Sequence, residues 1–266
     1  MEESQDMVKE ARYLYSVART GHEARLGSIG IQENNVYTIP YKDIAAIVHV
    51  CDAKPYHTED TKLAEEWVLE HSYVIDQATK MFGTVLPFSF DVIVKGDDDV
   101  VKDWLCRDYE YLARELLRME GTAEYSIQVY CDYDYLETLV LAKNQELLDL
   151  KNSIEKEPKG KAYLQRRNLD LKLKNLTYSE AGRLADQFCS GIKPLVKELK
   201  SESRTSWTPE KYRDKKLLAS CSCLVSEEAV KRLGEVLEEI NRKDGFFVRF
   251  TGPWAPFSFV RLQEAG

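Results

Sequence analysis

The 266 residues contain little histidine and no arrangement of cysteines that would hold a metal. The 4 histidines share no ligand spacing, and the 6 cysteines, Cys51, Cys106, Cys131, Cys189, Cys221 and Cys223, include no Cys-x-x-Cys pair. That pattern excludes a zinc ribbon and favours reduced, buried thiols over a disulfide framework. Long apolar runs are missing too: stretches such as Ile44–Val48 fall far short of the roughly 20 residues a membrane helix needs, so no membrane span is expected. There is no surplus of basic charge. Lysine and arginine number 37 against 45 acidic residues, a net −8, which repels a phosphate backbone and excludes nucleic acid as an expected partner. The start, Met1–Ala11, is acidic and polar rather than a signal peptide, so the chain reads as cytoplasmic. Leu26–Ile31 has two glycines but no third and no strand–turn–helix unit, and neither a Gly-x-Ser-x-Gly nor a Walker sequence occurs. No cofactor and no metal are expected.

What is present is an ordinary core-forming composition, 44% hydrophobic and 31% charged. Arg12–Ala18 and Ile44–Val50 read as strands, with a shorter extended piece at Val36–Pro40. Thr58–Met81 reads as a helix because Leu63, Trp67, His71, Val74, Ala78 and Met81 recur at steps of four and three. Thr84–Val94 is the next expected strand, its Pro87 pointing to an edge or an irregular start. Asp97, Asp98 and Asp99 then supply a cap and first-turn carboxylates for a helix carrying Val101, Leu105, Tyr109, Leu112 and Leu116.

After Gly121 the pattern restarts with a strand at Tyr125–Cys131. Leu136, Val140, Lys143, Leu147, Leu150 and Ile154 form a near-heptad seam, broken at Glu157–Gly160. A second helix begins near Lys161 with Leu164, Leu169, Leu173 and Leu176, so a helical hairpin is the economical arrangement. Leu195 and Leu199 extend this helix past a disturbance at Gly191 and Pro194, and Ser201–Asp214 reads as a polar, mobile connection. Leu217–Val225 is a strand, Ser226–Asn241 an amphipathic helix capped by Ser226, and Asp244-Gly245 a turn into the strand Phe246–Phe250. The fold class is therefore α+β in two domains. Residues 1–120 form a modified ferredoxin-like domain and 121–251 a small sheet with a long helical hairpin. Residues 252–266 make an aromatic and proline-rich tail.

Several constellations admit a chemical reading and a plainer one. His71 lies on the apolar stripe of its helix, four residues from Trp67; no cysteine or carboxylate is spaced to share a site with it, so a neutral core imidazole is the better reading. Cys221 and Cys223 face the same side of a strand, and the flanking Ser220, Ser222 and Leu224 add no metal ligand. The run Asp97–Asp99 lacks the alternating ligands and closing glutamate of a calcium loop, which leaves helix capping.

The end of the chain is the most distinctive stretch. Phe246–Phe250 alternates as a strand, then runs into Gly252-Pro253-Trp254-Ala255-Pro256-Phe257-Ser258-Phe259, which cannot continue helix or sheet pairing. This resembles the carboxyl-terminal GPWPPYSF signature of the gas vesicle L/F family. Tyr13–Val17 is similar to the family's YLYGI-type strand, Ile44–Val48 to its LAAVVS-type strand, and Thr84–Phe90 to its TVLPVRFGT-like segment. His71–Val74 sits where the family has a histidine-led helix. Gly121–Val129, with Glu124, resembles its glycine-then-glutamate strand. Gly160–Leu164 resembles the G-x-x-YL start of its return helix, and Leu217–Val225 its LLSAAYLV-type strand. Three departures stand out. Asp91 replaces a glycine, implying loss of a special backbone angle; Ala255 replaces the second tail proline, and Phe257 a tyrosine.

The resemblance implies a gas vesicle accessory protein that assists or nucleates shell assembly. Its implied partners are the small hydrophobic gas vesicle shell protein and other gas vesicle accessory proteins, its place the gas vesicle and the cytoplasm. A soluble acidic adaptor could cover the apolar face that a shell subunit exposes before incorporation. Docking would use a sheet edge or the groove beside the Leu136–Ile154 seam, with Trp254, Pro256 and Phe257 as leading contacts and Leu86 and Phe88 after them. The competing expectation is a small-molecule-binding enzyme on a ferredoxin-like scaffold, with His71 or Cys223 as the working group.

Overall fold

The computed structural model describes residues 10–202 and 208–260. The chain divides into two compact units, Met1–Glu124 with Pro253–Gly266, and Tyr125–Gly252. In the first unit the elements run β1 (Glu10–Ala18), β2 (Arg25–Gly27), β3 (Val36–Tyr41), β4 (Ile44–Asp52), α1 (Thr61–Phe82), β5 (Val85–Pro87), β6 (Ile93–Lys95) and α2 (Asp98–Met119). The strands form one sheet in the order β2-β3-β4-β1-β5, with β6 also paired to β1. β1 is antiparallel to β4 along its length.

β1 is buried from Ala11 to Ala18 and β4 from Ile44 to His49, with no exposed alternate residues, because both faces of the sheet are covered. Successive side chains on a strand point to opposite faces. On β1 the guanidinium of Arg12 reaches Asp98 at the start of α2, while its neighbour Tyr13 bonds His71 of α1. One helix therefore lies on each face. Trp67, Val74, Ile75 and Ala78 of α1 pack with Tyr13, Tyr15 and Ile47; each large apolar side chain so buried contributes about 1.5–3 kcal/mol. α1 begins at Thr61, later than the periodicity indicates, because Asp60 accepts the backbone N–H groups of Lys62 and Leu63. Asp97 caps α2 in the same way, through Asp99 and Val100.

The expected single strand over Thr84–Val94 is instead two short strands at opposite ends of β1. β5 pairs with Ser16–Ala18, and β6 with Ala11–Tyr13. Between them the backbone leaves the ladder, and β1 carries its own register shift between Leu14 and Ser16. Asp91 sits at φ 71°, so the left-handed angle expected to vanish with the glycine is retained. Aspartate tolerates that region better than most residues. Its carboxylate also accepts the Tyr56 N–H at 3.0 Å, which fixes the turn.

The second unit contains most of β7 (Thr122–Cys131), α3 (Tyr133–Lys143), α4 (Gln145–Ile154), α5 (Lys159–Ile192), β8 (Glu198–Ser201), β9 (Lys216–Ser226), α6 (Glu227–Asn241) and most of β10 (Phe246–Trp254). Its sheet order is β10-β7-β9-β8. One face, carrying Ile127, Val129, Cys221, Cys223 and Val225, packs against Phe188 and Ile192 of α5 and Leu233, Leu237 and Ile240 of α6. Several of the alternate residues are polar or aromatic. Ser220 and Ser222 donate to Glu202 at 3.0 and 2.7 Å, and Tyr130 stacks on Tyr212 with centroids 4.5 Å apart.

Four expectations change in this unit. The seam over Leu136–Ile154 is two helices, because Asn144 leaves helical geometry at φ −116°, ψ 99° and its side chain caps α4 at Leu147. The helical hairpin itself forms, with Leu147 and Ile154 packed against Ala162 and Leu169 of α5. Leu199 belongs to an edge strand, since Pro194 ends the helical run in a short 3-10 turn at Lys193–Leu195. Ser226 occupies the cap position of α6 but makes no side-chain cap bond. β10 continues through Gly252 and Pro253 to Trp254, a course open to proline because β10 is the edge of its sheet. Of the connection read at Ser201–Asp214, residues 203–207 lie outside the described residues; Glu210–Tyr212 is a 3-10 turn.

Candidate functional site

The five residues singled out as contacts fall into two groups. Trp254 and Phe257 are 50% and 41% exposed. Leu86 is fully buried on β5, opposite Val17 of β1, and Phe88 is buried with its ring 5.8 Å from that of Trp104. Neither offers a surface to a partner in this fold. They attracted notice as part of a resembling motif, but an apolar pair in a central sheet has the interior as its natural place. Pro256 is buried as well and acts as an anchor rather than a contact.

What holds the aromatic pair outward is a set of bonds that could not be read from one stretch of sequence. Ala255 enters the first unit's core and Phe259 is 2% exposed. The buried carboxylate of Glu124 accepts both the Ser258 N–H at 2.8 Å and its hydroxyl at 2.6 Å. Arg118, itself gripped by Glu115 at 2.7 Å, donates to the Phe259 carbonyl at 2.9 Å. A turn closes the segment, with the Phe257 N–H on the Ala255 carbonyl and the Phe259 and Val260 N–H groups on that of Pro256. The rigidity lost where alanine stands for proline is supplied by these bonds. Hydrogen bonds to a charged carboxylate are worth about 1.5–3 kcal/mol each. The outcome is a fixed loop presenting two uncharged rings, suited to apolar docking and to no bond chemistry.

The histidines form the other organised group. His71 faces the Phe88 carbonyl through Nε2 at 3.2 Å, so Nε2 carries the proton and Nδ1 accepts from the Tyr13 hydroxyl at 2.9 Å. Tyr13 in turn accepts the Asp91 N–H at 2.9 Å. The Tyr15 hydroxyl accepts the Ile31 N–H and bonds His49 Nδ1 at 2.7 Å, and His49 Nε2 lies 3.0 Å from the Tyr56 hydroxyl. Burial pushes both imidazoles down to about 4 and Tyr56 up to about 12, and it holds Tyr13 and Tyr15 well above the usual phenol range. Each ring nitrogen has a partner, so the network stiffens a core and leaves no poised base. The expected neutral core imidazole at His71 is what the structure has; its ring cluster with Tyr13, Tyr15 and His49 is not visible in the sequence, because no local spacing connects residues on β1, β4 and α1. Cys223 is buried with its sulfur 3.9 Å from that of Cys221. Among the described residues no three His, Cys, Asp or Glu side chains are grouped to hold a metal ion, and no helix is long and apolar enough to cross a membrane.

The family model described as "Gas vesicle synthesis protein GvpL/GvpF" matches residues 11–261. The chain belongs to the GvpL/GvpF family. Among its curated relatives, gas vesicle protein L1 of Halobacterium salinarum is 31% identical over 257 residues, covering 95% of this chain and 91% of that protein. Gas vesicle protein L of Haloferax mediterranei is 32% identical over 236 residues, covering 87% and 72%. Two crystal structures of the gas vesicle protein GvpF share the fold. That from Anabaena sp. PCC7120 has a TM-score of 0.74 at 17% identity, covering 96% of this chain and 99% of its own. That from Microcystis aeruginosa has a TM-score of 0.66 at 16% identity, covering 95% and 99%. At such identities these two structures establish the architecture and nothing finer. Membership in GvpL/GvpF gives the chain a gas vesicle accessory role, in a family not known as one of enzymes.

Proposed function

We propose that this GvpL/GvpF protein acts in the cytoplasm to assist or nucleate assembly of the gas vesicle shell, by binding the small hydrophobic shell protein and meeting other accessory proteins. The observation that carries the reading is the exposed Trp254–Phe257 pair on a loop fixed by Glu124 and Arg118. Aromatic anchors that are already ordered lose little conformational freedom on docking, and an apolar partner matches their chemistry. The protein's net −8 charge would keep such a complex dispersed in water. The enzyme alternative finds no support in the network around His71, whose nitrogens are both engaged.

The test is co-purification of the shell subunit with the full chain carrying Trp254→Ala and Phe257→Ala. Both side chains are about half in solvent and belong to no buried core, so the fold is expected to persist, checked by circular dichroism. Recovery of the shell subunit is expected to fall at least about ten-fold, the effect of losing about 1.4 kcal/mol of binding. Undiminished recovery with the double variant would refute this docking surface.

A further inference from the structure

Helix α5 has two apolar stripes and its own chain fills only one. The inner stripe, with Ala162 and Leu169 at its centre, packs on α4. The outer stripe consists of Leu164, Leu171 and Tyr178, seven residues apart and 69%, 56% and 72% exposed. Single exposed leucines are unremarkable in a folded protein. Three at a strict heptad interval, over about 21 Å of helix, line up as one exposed ridge. Asn168 and Asn175 fall between them, so the ridge alternates apolar and polar positions.

The charges beside this ridge say what can occupy it. Arg167 and Lys174 flank the stripe and are exposed, on a chain whose net charge is −8. On the opposite edge of the stripe Lys172 is engaged with Glu146 at 3.0 Å, and Asp170 lies beyond Arg167 and Lys174 on their own side. A second copy of this chain fits poorly in either orientation. Antiparallel pairing would set Arg167 and Lys174 against the same residues of the other copy, and parallel pairing would set Arg167 against the other copy's Lys172. Like charges at these flanking positions select against a pairing.

We propose that the outer face of α5 is a docking site for an amphipathic helix of another protein, with an apolar seam flanked by acidic residues. The site is separate from the Trp254–Phe257 loop and does not depend on the role assigned to that loop.

The experiment uses the full chain and two labelled synthetic helices of four heptads. Both carry leucine and asparagine alternating along the seam; one has glutamate at the flanking positions and the other lysine. In fluorescence anisotropy at low salt the glutamate peptide should bind at least about ten-fold more tightly than the lysine peptide, and the gap should narrow as salt is added. Leu171→Glu should weaken the glutamate peptide at least ten-fold. The Arg167→Glu, Lys174→Glu double variant should reverse the preference, a result that loss of folding cannot mimic. The proposal is overturned if neither peptide binds, if the two bind equally, or if Leu171→Glu has no effect. It is equally overturned if sedimentation shows the unmodified chain to be a dimer that Leu171→Glu dissociates.

Discussion

Lowering the pH should destabilise the first unit through its two buried imidazoles. His49 and His71 are held neutral, each with a pKa pushed from 6.5 down to about 4. The unfolded chain then binds protons between pH 6.5 and 4 that the native unit refuses, so stability is complete above that window and falls with pH inside it. One pKa unit corresponds to 1.36 kcal/mol, so each histidine removes about 3 kcal/mol across the window and the pair about 6. That is comparable with the roughly 5–15 kcal/mol total stability of a typical domain. The two imidazoles share one aromatic cluster, His49 stacked on Tyr13 at 5.0 Å and His71 on Tyr15 at 5.4 Å, so protonation that loosens one should loosen the other. Urea unfolding followed through Trp67 and Trp104 at half-unit steps from pH 7 to 4.5 measures the slope. A fall approaching about 2.7 kcal/mol per pH unit is expected, flattened in a His49→Gln, His71→Gln variant. The carboxylates held low by Lys215 and Arg183, Asp132, Asp214 and Glu180, act at lower pH and do not confuse the window. Direct NMR titration of the imidazoles in the unmodified protein needs no variant at all. Midpoints near 6.5 in the folded state would show the network to be open to water and the reasoning wrong.

Two further substitutions probe how the backbone is held. Glu124→Gln replaces a charged acceptor by a neutral one and turns one contact to Ser258 into an amide N–H donating to its hydroxyl; stability of the first unit should drop by about 1–2 kcal/mol, and limited proteolysis should cut near Ser258 sooner, with no change in either indicating that the segment is held by other means. Gly245, at φ 75° in the turn before β10, has no room for a side chain, because an added Cβ would overlap the Tyr135 ring. Gly245→Ala should therefore lower the urea midpoint of the second unit by the equivalent of at least 1–2 kcal/mol, roughly the cost of the left-handed angle alone, and a neutral outcome would mean that the turn relaxes freely.

The elements that one-dimensional periodicity can encode were legible. α1, α2 and α6 show their buried faces at steps of three and four, and β1 and β4 are rich in β-branched and aromatic residues on both sheet faces. What escaped depends on single polar residues acting through their side chains. Asn144 divides one expected helix in two, Asp60 delays the start of another, and Asp91 holds the left-handed angle that glycine would otherwise supply. The site was legible only in part for a related reason. Trp254 and Phe257 are exposed as expected of contacts, whereas Leu86, Phe88 and Pro256 from the same resembling segments are buried, because exposure depends on contacts distant in sequence. Glu124 and Ser258 are 134 residues apart, and no local pattern announces their bond. The outer stripe of α5 was readable at its heptad spacing, but the leucines of the inner stripe masked it.

The two proposed surfaces differ in chemistry in a way that bears on assembly. The loop of the first unit offers aromatic rings with no charge beside them in the Trp254–Phe257 stretch, so it discriminates by shape and apolarity and its binding should be nearly indifferent to salt. The α5 face pairs three apolar side chains with Arg167 and Lys174, so it discriminates by charge sign and should weaken as salt rises. A helix flanked by lysines is rejected at α5 but not at the loop; a compact apolar partner without acidic flanks gains little at α5. Binding at the two can therefore be separated by ionic strength alone. If raising the salt strips one class of partner from the full chain while the shell subunit remains, the loop and the helix serve different proteins. Parallel loss of both would mean that one charged surface carries all of the binding, and the aromatic loop would then be a packing element only.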